Sequence, residues 1–157
     1  MVLHPIAPIY DENSQILILG SFPSVKSREE NFYYRHPQNR FWKVLSAVFK
    51  DTVPLTVDEK RRFLLRHGIA LWDVIQSCEI EGSADSSIRN VTPNDISVIL
   101  QHADIQRIFL NGKATEKYYA KYLKNKVPVK AFTLPSTSPA NAAWSLERLT
   151  EAWKIIR

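Results

Sequence analysis

The chain has 157 residues, 45% of them hydrophobic and 24% charged, which suits one closed apolar core over residues 1–157 and is too short for two ordinary domains. Such a composition excludes a disordered chain, and no stretch reaches the ~18 apolar residues that a membrane span needs. The net charge is +5, so a polyanionic partner is a natural one. Met1 to Tyr10 shows no basic segment followed by an apolar run, which predicts a cytoplasmic address. Cys78 is the single cysteine, and the four histidines stand at spacings that match no ligand motif, so neither a disulfide nor a metal is expected.

Taken in chain order, Gln15 to Gly20 is a short apolar run closed by glycine, as in a strand buried on both faces. From Asn39 onward, Phe41, Val44, Leu45, Val48 and Phe49 recur with helical period. Thr56 and Glu59 form a capping pair for a second helix that closes at Gly68, and Ile69 to Val74 is a second strand. Thr92-Pro93 is expected to open a helix running to about His102. A strand from Ile105 to Leu110, a lysine-rich helix, a strand from Val127 to Leu134 and a final amphipathic helix through Leu146, Leu149, Trp153 and Ile156 complete the order. Strands separated by helices predict an α/β fold, a three-layer α/β/α sandwich with a central four-stranded parallel sheet.

In such a sheet the site lies at the carboxyl ends of the strands. Three loops are expected there: Gly20 to Ser24, Glu81 to Ser86, and Leu134 to Asn141. All are rich in small hydroxyl residues, which present short donors and backbone N–H groups to an anion. Between Ile105 and Lys130 there are seven Lys/Arg against one acid, a surplus of six, which leaves the rest of the chain at −1. Lys113, Lys117, Lys121 and Lys124 fall on one helix face, a basic ridge that gains affinity for phosphates by releasing counterions.

Asn31 to Trp42, NFYYRHPQNRFW, holds five aromatics, two arginines, a histidine and two asparagines in twelve residues. Aromatic rings stack on nucleobases, amides read base edges or orient water, and arginines hold phosphates. Phe41 and Trp42 also suit a core, and Asn39 stands where it would equally cap the following helix.

The dispersed segments GSFPS, YYRHPQNRFWKVL, LWDV, DSSI, LNGK and LPSTSPAN resemble those of the uracil-DNA glycosylase superfamily, and within it the hypoxanthine-DNA (deoxyinosine) glycosylase branch. HPQNRFWKVL, LNGK and PSTS are also similar to the mismatch-specific uracil/thymine branch. That branch has its catalytic asparagine two residues after the first-motif glycine, where this sequence has Phe22, and the aspartate of the classical uracil enzymes is missing from the motif too. The resemblance to the hypoxanthine branch therefore carries the catalytic asparagine onto Asn39. It further implies base contacts by Tyr34, Ser21 and Phe22, with Asn111 as a reader of the base edge and Asp85 or Ser86 touching base or phosphate. Ser136, Thr137 and Ser138 would grip DNA, with Ser138 filling the gap left by a flipped base, and Ser24 and Lys113 would add contacts. The implied activity is cofactor-free hydrolysis of the N-glycosidic bond of a deaminated base in double-stranded DNA by a monomer, close to the nucleoid through its substrate. A non-catalytic sensor of damaged DNA would share the ridge and pocket.

Overall fold

The protein is described by a computed structural model covering residues 1–157. Strand β1 is Val2–Leu3, β2 is Ile16–Gly20, and helix α1 is Val25–Glu30. Helices α2 (Phe41–Phe49) and α3 (Val57–Arg66) precede β3 (Ile69–Asp73) and β4 (Ile75–Glu79). Then come β5 (Arg89–Pro93), α4 (Ser97–Leu100), β6 (Arg107–Asn111), α5 (Lys113–Tyr122), β7 (Ala131–Leu134) and α6 (Leu146–Trp153). The central sheet is parallel throughout, in the order β3-β2-β6-β7.

Side chains along a strand alternate between faces, and β2 divides its apolar run accordingly. Ile16 and Ile18 join one core with Phe41, Val44, Leu45, Phe63, Leu149 and Trp153, from α2, α3 and α6. Leu17 and Leu19 join the other with Tyr118 and Tyr119 of α5, Ile99 of α4 and Ile75 of β4. All five residues of β2 are buried, which is the burial expected of a central parallel strand. The expected three-layer α/β/α sandwich with its four-stranded parallel sheet is the observed fold.

One layer differs from expectation. A small antiparallel sheet, β1-β4-β5, shares the second face with α4 and α5. The chain leaves β3 at Asp73, turns at Val74 and pairs again as β4, so Glu81 to Ser86 follows β4 and not the second parallel strand. The helix expected from Thr92-Pro93 is a strand instead, because Thr92 and Pro93 lie in register with Ser77 and Ile75. Thr92 is β-branched and Pro93 ends an edge strand, where a missing N–H costs no ladder bond. The helical turn begins only after Asp95, whose carboxylate accepts the Ser97 N–H at 3.1 Å. Strand β7 starts four residues later than expected, beyond Pro128.

Candidate active site

The carboxyl ends of β2, β3 and β6 open onto a cavity of about 270 Å³ lined by the loop after β2, the segment before α2, and the loop after β7. Its lining is mostly polar, and Phe22, 9% exposed, is among its few apolar members.

The position of Asn39 follows from two contacts. Its Oδ1 accepts the Phe41 backbone N–H at 3.0 Å, a local bond made one residue ahead of Arg40, the N-cap of α2, rather than the cap expected from sequence, and also the Thr137 hydroxyl at 2.9 Å. A backbone N–H can bond only to the amide oxygen, so the orientation of the amide is fixed. Its Nδ2 has no protein partner and is left for the cavity, which Asn39 lines. Thr137 is fully buried, and its hydroxyl oxygen receives Asn111 Nδ2 at 3.1 Å while Asn111 Oδ1 takes the Thr137 N–H at 3.1 Å. Asn111 Nδ2 also donates to Tyr34 Oη at 3.2 Å. A chain of hydrogen bonds thus runs from Tyr34 through Asn111 and Thr137 to Asn39.

Tyr34 adopts a left-handed backbone, φ 52°, and its ring lies on Phe41 with centroids 3.9 Å apart. With one face covered, only the other can receive a planar ligand. Burial, and after it the charge of Asp73, holds its phenol above the ordinary tyrosine range, so it stays protonated.

The loop after β7 is fastened from three directions. Arg40 donates to the carbonyls of Ser138 at 3.0 Å and Asn141 at 3.1 Å, and also to that of Trp144. Trp153 Nε1 holds Pro135 O at 2.9 Å. Gly112, with φ 95°, admits the loop to the start of α5, where a Cβ would meet Ser136 Cβ at 2.9 Å. Ser136 and Ser138 each accept one loop N–H, from Ser138 and Ala140, which leaves each hydroxyl proton free to donate.

On the other side of β2, Asp73 ends β3 in register with Gly20. Its Oδ2 meets His4 Nε2 at 2.7 Å, with side-chain exposures of 6% and 2%. Asp85 accepts the Ser21 hydroxyl at 2.9 Å. Desolvation raises the Asp85 pKa from the usual carboxylate value, and the Ser21 bond opposes this. The residue is exposed as a whole, so water screens the effect.

The sequence pattern of the uracil DNA glycosylase superfamily matches residues 7–157. The chain belongs to that superfamily. It is 33% identical over 99% of its length, and 98% of the relative's, to a protein of Methanosarcina acetivorans named "Hypoxanthine DNA glycosylase". A second protein of that name, from Methanosarcina barkeri, is 34% identical over 71% of this chain and 72% of its own. A solution NMR structure of a putative uracil DNA glycosylase from Methanosarcina acetivorans superposes with a TM-score of 0.82 at 29% identity, covering 99% of both chains. The protein is thus a DNA glycosylase, and DNA is its substrate.

Of the residues singled out from sequence, the glycosylase cavity collects Asn39, Ser21, Phe22, Tyr34, Asn111, Asp85, Ser24, Ser136, Thr137 and Ser138. Ser86 and Lys113 are exposed and do not line it. Several placements change what the side chains can do. Thr137 is buried, so its hydroxyl joins Asn39 to Asn111 and cannot reach a phosphate. Both Asn111 Nδ2 bonds go to protein, which leaves it as a brace. Ser24 caps α1 through the Ser27 N–H at 3.2 Å. Arg40 is consumed by loop carbonyls and Arg35 pairs with Glu30 at 2.9 Å, so neither arginine is a free phosphate ligand. The ridge lysines are all exposed and form no ion pairs; Lys113, Lys117 and Lys121 lead away from the cavity along α5, and Lys124 lies in the 3-10 turn that follows it. His36, Ser83 and Asp73 also line the cavity, from segments that the sequence pointed to without singling these residues out, whereas His4 behind it stands outside all of them. No transmembrane-length apolar helix is present.

Proposed function

We propose that the protein excises hypoxanthine from deoxyinosine in double-stranded DNA, leaving an abasic site for base excision repair. The observation that carries this reading is the cavity itself: the apolar Phe22 side chain, the Tyr34 ring backed by Phe41 and the fixed Asn39 amide line one space. The full-length relative named for hypoxanthine supports the choice of base. The target nucleotide leaves the stack, at a cost of a few kcal/mol that is smaller for a mispaired base. Its base slides onto Tyr34. Ser136 and Ser138 donate their free hydroxyl protons to flanking phosphates, and Ser138, at the cavity mouth, fills the space left in the helix. Bond cleavage develops positive charge on the sugar and negative charge on the departing base, so donors placed beforehand lower the barrier. Asn39 Nδ2 is such a donor, and it holds the attacking water by its oxygen. No cofactor takes part.

The test is a panel of matched duplexes bearing deoxyinosine, deoxyuridine, deoxyxanthosine or a G·T pair, followed by alkaline cleavage of abasic sites. Deoxyinosine is expected to react fastest, with uracil at least tenfold slower, a gap of about 1.4 kcal/mol in transition-state binding. The superfamily name and the structural neighbour described as a putative uracil DNA glycosylase favour uracil or a G·U/G·T mismatch as the second reading. A faster rate on uracil would establish it. DNA binding with no base release from any duplex would instead make the protein a damage sensor.

A further inference from the structure

A water that attacks a sugar carbon must give up a proton, and Asn39 cannot receive it. Its amide oxygen is already taken by the Phe41 N–H and the Thr137 hydroxyl, and only the Nδ2 donor faces the cavity. Of the side chains on the lining that could take it, His36 has its Nδ1 occupied by the Gln38 N–H at 3.1 Å and so carries its ring proton on Nε2, which leaves the carboxylates Asp73 and Asp85. Asp85 sits on an exposed turn and already receives Ser21. Asp73 is 4% exposed and rigid: its backbone carbonyl takes Asn94 Nδ2 at 2.9 Å and its Oδ2 takes His4. The His4 tautomer follows from its other nitrogen. Nδ1 receives the Ile6 N–H at 3.3 Å, so the ring proton is on Nε2 and points to Asp73. Asp73 Oδ1 has no protein donor, and it is not sealed from the cavity. It lies over Gly20, where a Cβ would overlap it and touch Tyr34 Oη at 3.0 Å. Only glycine at residue 20 leaves that oxygen uncovered.

We propose that Asp73 is the water-activating carboxylate of this enzyme and that His4 is its positioning residue. The inference rests on the glycosylase reading above. The C1′–N9 bond breaks and its electron pair leaves with the base, which takes a proton from solvent. The water oxygen bonds to C1′, its proton passes to Asp73 Oδ1, and from there it returns to solvent, so one water is consumed per base released. His4 holds the carboxylate by Oδ2 and thereby turns Oδ1 toward the cavity. This pair joins a strand end to the N-terminal segment, and His4 precedes residues 7–157 that carry the superfamily pattern.

The experiment is single-turnover excision from deoxyinosine duplexes by wild type, Asp73→Asn, His4→Ala and His4→Gln, with binding measured separately on a duplex carrying non-cleavable 2′-fluoroarabino-inosine. General-base catalysis contributes about 10²–10⁴-fold, so Asp73→Asn should lose at least about 100-fold in rate with binding unchanged within threefold. His4→Ala should lose about tenfold or more, and His4→Gln, which keeps an N–H near the Nε2 position, should recover most of that loss. An Asp73→Asn enzyme within threefold of wild type overturns the proposal. So does a loss of rate matched by loss of binding, and so does a His4→Gln enzyme as slow as His4→Ala. If Asp73→Asn does not fold, the two His4 variants decide the matter alone. A wild type that releases no base from any duplex overturns the hydrolytic reading itself, a result distinct from an active wild type with an active Asp73→Asn.

Discussion

Asn39, Thr137 and Asn111 on one side of β2 and His4, Asp73 and Asp85 on the other are equally polar, yet folding leaves them in different states. On the first side nearly every atom is engaged: Thr137 joins two amides, Asn111 has both its donor bonds within the protein, and Asn39 keeps only Nδ2 free. On the second side each carboxylate is held by one oxygen, Asp73 through His4 and Asp85 through Ser21. An engaged polar group fixes shape, whereas a group with a free atom in a low-dielectric pocket is available for chemistry. Most of the first side therefore fixes shape and keeps Asn39 Nδ2 as its one free donor, and under the proposal above the acid–base work falls to the second.

The hardest test of this division is Asn39→Ala. It removes the one free donor of the engaged side, so excision of hypoxanthine in single-turnover assays should fall by about 100-fold, within the range for one lost donor. The lost bonds to the Phe41 N–H and the buried Thr137 hydroxyl should cost about 1–3 kcal/mol of stability. Near-normal excision would remove chemistry from that side altogether.

Thr137→Val comes next. The shape is kept, but Asn39 Oδ1 loses one donor and Asn111 Nδ2 one acceptor, which should cost about 1–3 kcal/mol in chemical denaturation. Excision should drop about tenfold, because Asn39 is less firmly aimed. A stable Thr137→Val protein of full activity would show that the relay is incidental.

Changing Lys117 and Lys121 together to Ala tests a region remote from both sides of the cavity. If both contact phosphates, the slope of log affinity against log salt should lessen by about 2. Rates at saturating enzyme should be unaffected, since these exposed side chains do not line the cavity. An unchanged slope would make the ridge a solvated helix face and leave Ser136 and Ser138 as the main DNA contacts.

The smallest effect belongs to Asp85. Its folded-state pKa is raised, chiefly by desolvation, so its contribution to stability is present at low pH and is lost as pH rises from the unfolded value through the folded one. Asp85→Asn should leave thermal stability unchanged near pH 3 and raise it slightly at pH 7, by less than about 1 kcal/mol given its exposure. Asp51 titrates in the opposite sense. Its bonds from His67 and Arg66 lower its pKa, so its contribution is present at neutral pH and is lost as pH falls below the ordinary carboxylate range. A difference between Asp51→Asn and wild type should therefore shrink on acidification.

Much of this was legible in the sequence because it is periodic or local. The unbroken apolar run Ile16 to Leu19, the apolar stripe Phe41, Val44, Leu45 and Val48, and the Thr56 cap at 3.0 Å to the Glu59 N–H are each written within a few residues. Asn39 was legible as a motif residue, and the three loops as clusters of Gly, Ser and Pro. The antiparallel sheet was not. Ile75–Glu79 directly continues an apolar strand, and Thr92-Pro93 carries a local helix-start signal that long-range pairing with Ile75 and Ser77 overrides.

By itself the sequence determined the parallel sheet, its helical layers and the edge at which the site lies, since hydrophobic period and strand-helix alternation are properties of neighbours along the chain. Only the tertiary structure decided which polar atoms remain free. Thr137 meets Asn39 across 98 residues, and His4 meets Asp73 across 69. Asp73 stands in the LWDV segment but at the end of the apolar run Ile69 to Trp72, with nothing local to mark its partner, and His4 is a lone histidine. Pairings at such separations follow from strand register and loop closure, which no short window of residues contains.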